Sequence, residues 1–461
     1  MALVIQQNPL YEILPVGQQV IFAVSDNTVV GSNFKVKFIA EVYVSTTAIS
    51  FSSNELAGSF KTTPNNAGVG IFDFQSVLET FVKPDNEASS QANSTYKGIP
   101  SSIASFPIHL VDEYSLSDNS IKYFAVKFRV EYFTTATTST ITISGGVNSD
   151  EYTIFNGTLQ YDDVLTKSLQ GNYGYDLDEF YLDDSSAKFL SNAPATQYAR
   201  LEDYGTLPFL NFAPTSSDNV DWITVNYYNA AGGGLGSDNV LNQTSTGGAN
   251  SVGNSDTRLN YFGGFPANLQ NWSATFAAAV VNATPLSYYT IQAKNPSISA
   301  LYTIKILCEN TKGFEAIRLA WLNQWGAWDY YTFNMKSVKS IKTNRTSYTQ
   351  LGGTWNESLF KISDYKGGKK NFRVNSTEKV KLNTDFVSEA EGVWFEELIN
   401  SNEVYIVNGF STDVSNTITR KYIEPVVLTT SSYVKKTIAN DKLMQYTIEI
   451  EKSKMKRTHS A

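Results

Sequence analysis

Cysteine and histidine are nearly absent from this chain of 461 residues. The single cysteine, Cys308, excludes a disulfide within the chain, a multi-cysteine zinc site and an iron–sulfur cluster. Two histidines, His109 and His459, leave almost no material for a histidine-dependent triad or a His-rich metal site. Charge is scarce as well: Asp, Glu, Lys and Arg make up 17%, against roughly 25% in ordinary soluble domains. No apolar run approaches the roughly 18 residues of a membrane helix, so no membrane partner is expected. Residues 1–17 hold neither a basic n-region nor a long apolar stretch, so a Sec signal is not expected and synthesis in the cytoplasm is. With 44 acidic and 36 basic residues the net charge is −8, which argues against a protein built mainly to grip nucleic-acid phosphates.

Aromatic residues are plentiful at 13%, led by Tyr 27 and Phe 27, a balance that opposes disorder. The length predicts two to four domains. Period-2 alternation is the strongest local signal. Phe124, Val126, Phe128, Val130 and Tyr132 share one face, with Lys127, Arg129 and Glu131 opposite, as in a half-buried antiparallel strand. Val36, Phe38, Ala40, Val42 and Val44 repeat the pattern. Further strands are expected at Val20–Val24, Ile108–Val111, Thr140–Ser144, Val220–Tyr228, Tyr288–Ala293, Tyr302–Glu309, Glu403–Asn408, Tyr422–Thr429 and Met444–Glu451. The fold class expected is mainly β: multidomain antiparallel β-sandwiches or barrels with a few short helices. Two helices stand out. Asp73 is placed to cap one carrying Phe74, Val77, Leu78 and Phe81, and Ser388-Glu389-Ala390-Glu391 fits a capping box before Trp394 and Leu398. Composition shifts divide the chain into an N-terminal domain over 1–165, a middle domain over 166–300 and an aromatic-rich C-terminal domain over 301–461. Residues 229–264, with Gly232, Gly233 and Gly234, are expected to form a long Gly/Asn-rich loop that contacts a neighbour.

Few residues offer chemistry. Asp176, Asp178, Glu179, Asp183 and Asp184 crowd together and could serve glycoside hydrolysis or hold a metal, but the EF-hand spacing is missing and a solvated acidic loop is the favoured reading. His109, within an apolar run, is expected to be structural, and Cys308 to be a small buried residue. The Gly232–Gly236 run lacks the helix start and Lys-Ser/Thr of a phosphate cradle, and no cofactor is expected. Three basic groups, Lys336/Lys339/Lys342/Arg345, Lys366/Lys369/Lys370/Arg373 and Lys452–Arg457, suit solvated faces or contact with an acidic subunit. Five of seven tryptophans, Trp321, Trp325, Trp328, Trp355 and Trp394, lie between 321 and 394. Stacking on sugars would use such residues, but packing and interfaces are favoured for Trp321, Trp325, Trp328 and Trp394.

The segment from Arg318 to Phe333, RLAWLNQWGAWDYYTF, resembles a pattern in tail and baseplate proteins of tailed bacteriophages, notably those infecting Bacteroidetes and marine hosts. Trp394–Ser401 with Glu403–Ile406, Glu424–Leu428, Tyr446–Glu451, Phe34–Val44, Gly70–Glu79 and Phe189–Pro194 extend the likeness. The resemblance carries no catalytic residues. It implies a virion structural protein, not an enzyme: a subunit of a tail, ring or baseplate, made in the host cytoplasm and built into the virion. Its implied partners are further copies of itself and other tail or connector proteins, and low charge, many aromatics and exposed strands suit such a subunit. The rival readings are a receptor-binding or carbohydrate-recognition protein contacting a host-surface glycan, and, behind it, a glycan depolymerase. No regular repeat of a β-helix is visible.

Overall fold

The computed structural model describes residues 3–87, 107–111, 114–117, 119–167, 175–180, 185–211, 220, 222–241, 258–294, 299–307, 313–356, 358–407, 423–430, 432, 434, 444–454 and 456–457. The chain is mainly β, with a few short helices. It forms two compact units: Met1–Leu307 with Leu322–Asp329, and Cys308–Trp321 with Tyr330–Ala461.

In the first unit the alternating segments become the long strands Phe34–Ser45 and Ile121–Phe133, paired antiparallel. Leu56–Thr62 lies outside one of them and Tyr152–Phe155 outside the other, followed by Ile13–Pro15. A three-stranded sheet, Val4–Gln7, Ile21–Ser25 and Val69–Asp73, supplies the other wall of the sandwich. Inward-facing Phe22, Phe72 and Phe128 meet between them with ring centroids 5.6–5.7 Å apart. Each such ring, fully buried, stabilises the fold by roughly 1.5–3 kcal/mol. The helix expected after Asp73 is a single turn, Gln75–Leu78, continued as a 3₁₀ turn to Phe81; Asp73 Oδ1 accepts from the backbone N of Gln75 and of Val20.

A second sheet in this unit runs in the order Thr196–Ala199, Tyr302–Ile306, Leu286–Lys294, Trp222–Asn229, Gly234–Leu241, and the helices Pro266–Trp272 and Ala274–Val280 follow Pro and Ser start signals. A small sheet joins Tyr114–Leu116 to Leu207–Asn211 through Arg258–Phe262. That pairing joins Tyr114–Leu116, from the expected N-terminal segment, to two strands of the expected middle segment. Two local expectations are corrected. Ile108–Leu110 is a buried 3₁₀ turn after Pro107: Ile108, His109 and Leu110 are all buried, so the segment has no exposed face to alternate with a core-facing one as a half-buried strand would. The 229–264 stretch is not one structureless loop: Gly232 (φ 79°) and Gly233 turn a hairpin between Trp222–Asn229 and Gly234–Leu241, held by Asn229 Oδ1 accepting from Ala231 N and Gly233 N. Residues 242–257 lie outside the described residues.

The second unit is built on one eight-stranded sheet. Its order is Trp328–Phe333, Ile317–Leu322, Val404–Val407, Ile423–Leu428, Thr447–Lys452, Gly368–Asn383, Val338–Gln350, with Lys456–Arg457 also on Gly368–Asn383. The helix Glu389–Asn400 starts with the expected capping box: Glu391 N donates to Ser388 Oγ (3.2 Å) and Ser388 N to Glu391 Oε2 (2.8 Å). Its apolar face buries Trp394, Phe395 and Leu398, with Trp394 4.8 Å from Trp321 and Phe395 4.7 Å from Tyr331 between ring centroids.

Candidate interaction surface on an exposed β arm

All four tryptophans singled out from the sequence are buried within the single chain. Trp321 and Trp394 pack on each other. In the first unit, Trp325 lies 4.5 Å from Phe180, and Trp328 is edge-on to His109 at 5.0 Å and donates Nε1–H to the Asp85 carbonyl at 2.7 Å. The turn that carries them is organised by Asn323. Its Oδ1 accepts from Trp325 N and Ala327 N, and its Nδ2 donates to Leu190 O and to the buried Asp329. Gly326 has φ 71°, and a Cβ there would stand 1.9 Å from the Asn156 carbonyl, so only glycine fits. The tryptophan motif therefore builds core, and none of these four indoles forms an open sugar platform.

Other polar groups of the first unit make contacts within it. Asp176 and Asp178 lie beside Tyr11, whose phenol is pushed up by burial and by those two carboxylates. Among the described residues, no group of three His, Cys, Asp or Glu side chains is arranged to hold a metal. Asp183, Asp184 and Cys308 lie outside the described residues. Asp238 gathers the hydroxyls of Tyr227 (2.7 Å), Thr275 (2.9 Å) and Ser273, but Ser273 Oγ already caps the helix Ala274–Val280 by accepting from Phe276 N. That network fixes a helix start on a sheet. Burial and Asp238 raise the Tyr227 phenol far above its ordinary value.

What the fold leaves open is a β arm in the second unit. Strand Val338–Gln350 pairs over its whole length with Gly368–Asn383, and its other edge has no strand partner among the described residues. The root of the arm is braced. Lys379–Asn383 pairs with Thr447–Lys452, and Asn375–Ser376 with Lys456–Arg457. Cations there meet carboxylates: Lys339 with Glu315 (2.6 Å), Lys379 with Glu449 (3.1 Å), and Lys452 and Lys456 with Glu378 (3.9 and 3.3 Å). Lys379, Lys381 and hydroxyls such as Thr429 hold the Glu449 carboxyl below its usual 4.5. The third basic group of the sequence is thus a brace. The spacing-three row Lys339, Lys342, Arg345 does not share a face, since a strand sends alternate side chains to opposite sides. A groove at the root is lined by Lys342, Asn344, Asn375, Thr377 and Glu451.

Beyond Asn375 the two arm strands pair, among the described residues, only with each other, and a bulge at Phe372 kinks the inner strand. The six residues Arg345–Gln350 carry this pair about 20 Å. A turn over Ser363–Lys366 and the positive-φ pair Gly367 (86°) and Gly368 (73°) then lead from a tip hairpin, Gly353–Asn356 with Leu359–Ile362, back into the arm. Glycine is required here: a Cβ on Gly353 would stand 2.1 Å from the Lys361 carbonyl. In this register Trp355 faces Phe360 and Gly353 faces Ile362, so Trp355, Phe360 and Ile362 share one side of the tip. They are 74%, 50% and 82% exposed. Leu351 and Tyr365 nearby are exposed as well.

Charge is segregated along the chain. From the sequence, Val338–Asn383 holds ten Lys and Arg against three acidic residues, a balance of +7. The second unit has 22 basic and 16 acidic residues (+6), the first 14 basic and 28 acidic (−14), which together give the −8 of the whole. Lys361, Lys366, Lys369, Lys370 and Arg373, on the outer arm, make no ion pair with a described carboxylate. The outer arm thus carries an exposed, tryptophan-centred apolar patch beside cations that make no ion pair with a described carboxylate. Sequence reasoning counted Trp355 among the clustered tryptophans but gave it no role beside the four assigned to packing or interfaces; Gly352-Gly353 and Gly367-Gly368, bracketing the tip, were the available signal for an exposed hairpin.

No family model matches this chain, and no curated protein matches it. Among solved structures it aligns with the native conformation of E. coli alpha-2-macroglobulin, at 9% identity and a TM-score of 0.17, over 82% of this chain and 21% of that one. The chain spans about a fifth of that protein's length, and a superposition at that score does not establish a shared fold.

Proposed function

We propose that this protein is a virion structural component of a tailed bacteriophage: a subunit of a tail, ring or baseplate assembly that docks neighbouring subunits. The assignment to a phage rests on the resemblance of Arg318–Phe333 and its companion segments. The assembly role rests on one observation above the others, the β arm with its unpaired edge and exposed Trp355 tip. An exposed apolar hairpin is an aggregation liability on a free monomer, and a closed assembly removes it by covering it. Chemistry at this surface is not needed for the role: its side chains are aromatic, aliphatic and cationic, suited to burial and steering rather than to acid–base work. The test is quantitative mass spectrometry of purified particles that encode the chain. Copy numbers in whole-number ratio to a tail protein support the reading; absence from particles, with the chain present in infected cells, overturns it.

A second reading has its own observation. Trp355 and Tyr365, both exposed, could stack on a host-surface glycan. It predicts saccharide-induced quenching of tryptophan fluorescence that disappears in Trp355→Ala; no quenching across a panel of host polysaccharides removes it.

A further inference from the structure

The geometry points to a specific occupant for the outer arm: we infer that its tip and cationic rim dock on the acidic first unit, Met1–Leu307 with Leu322–Asp329, of a second copy of this chain. The inference rests on the assembly reading above and names its partner. Three features carry it. At the root Lys339, Lys379, Lys452 and Lys456 meet carboxylates of the same chain, whereas Lys361, Lys366, Lys369, Lys370 and Arg373 make no ion pair with a described carboxylate, so the outer arm carries its excess positive charge beside the apolar face. The same chain carries the complement, a unit at −14 against an arm at +7. Such opposite fields on one molecule favour head-to-tail contacts between copies and oppose arm-to-arm contacts, where like charges would meet. Finally, Trp355, Phe360 and Ile362 on one side of a short hairpin form an aromatic anchor with a charged rim, the arrangement of an interface hot spot. The occupied surface is heterologous, so repetition closes a ring or extends a filament.

The unpaired edge of Val338–Gln350 adds register without adding promiscuity. Lys342 and Arg345 stand on this strand, repelling basic strands of other chains and resisting burial against uncharged ones. An acidic partner surface is the one they admit.

The experiment uses the full chain carrying a photo-crosslinking amino acid at position 355, mixed with an equal amount of isotopically heavy chain. Light–heavy crosslinks that map to residues 1–307 or 322–329 of the other copy are the expected result. Crosslinks to residues 308–321 or 330–461 of the other copy, or none between copies at any concentration the chain tolerates, overturn the inference. So does arm-dependent capture of an RNA or DNA oligonucleotide in place of self-association. In sedimentation velocity, Trp355→Ala and the pair Lys369→Glu/Lys370→Glu should each weaken self-association by at least about 30-fold. Their circular dichroism should match the parent, since these side chains are exposed. Should one variant fold poorly, the other carries the comparison, and unchanged association in a well-folded variant refutes the contact. Particle mass spectrometry is independent of this outcome, so a failed arm contact and a failed virion assignment are told apart.

Discussion

Trp328 and Trp355 lie 27 positions apart and should behave as opposites under the same truncation. Trp328 is fully buried, edge-on to His109, with its indole N–H on the Asp85 carbonyl. Trp328→Ala empties a large cavity in the first unit and costs about 3–5 kcal/mol. Trp328→Phe keeps most of the ring but drops the donor, so the cost falls to about 1–3 kcal/mol, the scale of an unmade buried hydrogen bond. Trp355→Ala removes a 74% exposed side chain and should change stability by no more than about 0.5 kcal/mol. Urea unfolding followed by near-ultraviolet circular dichroism reads the difference. With a slope of roughly 3 kcal/mol/M, Trp328→Ala lowers the first-unit midpoint by about 1–1.7 M, while Trp355→Ala leaves both units within about 0.2 M. Because the chain has two units, each transition is assigned before the slopes are compared. Equal midpoint shifts for the two variants, or a shift under about 0.3 M for Trp328→Ala, would refute the division into a packed tryptophan motif and an exposed arm.

Gly326→Ala should be severely destabilising or fail to fold, since its methyl would overlap the Asn156 carbonyl at a left-handed backbone position; a soluble variant with parental thermal stability contradicts this. Glu449→Gln separates from the parent in a pH-dependent way. The Glu449 carboxyl is held below its usual 4.5, so its stabilising contribution is complete above that value and is lost as pH falls through the depressed one. The gap in stability between parent and variant should therefore close in acid; a gap that widens on acidification would refute the assignment. In an ultraviolet titration, burial pushes Tyr405 up to about 12, with its Glu403 partner adding to the shift, and Tyr227, Tyr302 and Tyr331 are pushed higher still by burial. These four phenols should ionise only with alkaline unfolding, and titration of all tyrosines near 10 would contradict their burial.

The parts of this fold that were legible in the sequence are those where one side of an element meets the core. Phe34–Ser45 and Ile121–Phe133 alternate because one face packs inward, and Ser388 with Glu391 announces a helix because the cap is local chemistry. The arm was illegible for the same reason in reverse. Val338–Gln350 buries neither face, so Ser, Thr, Asn and Lys follow one another with no period-2 contrast, and its cations look like a helical row at spacing three. The Gly232–Gly234 run shows composition without geometry: a short hairpin turn and a long loop draw on the same residues. Nor can composition say which tryptophans are covered. Trp321, Trp325, Trp328 and Trp394 sit in apolar or aromatic surroundings, whereas Trp355 stands between Thr354 and Asn356 in a hairpin too short to build its own core. Nor does any local signal encode the pairing of Tyr114–Leu116 with Arg258–Phe262, far along the chain.

The most direct test of the account is the native mass of the full chain across salt concentration, with and without Trp355→Ala. The account predicts a parent that forms multimers at low salt, dissociates as screening rises, and stays monomeric throughout when Trp355 is truncated. A parent that is monomeric at every salt and concentration, or multimers indifferent to both salt and Trp355, would contradict it.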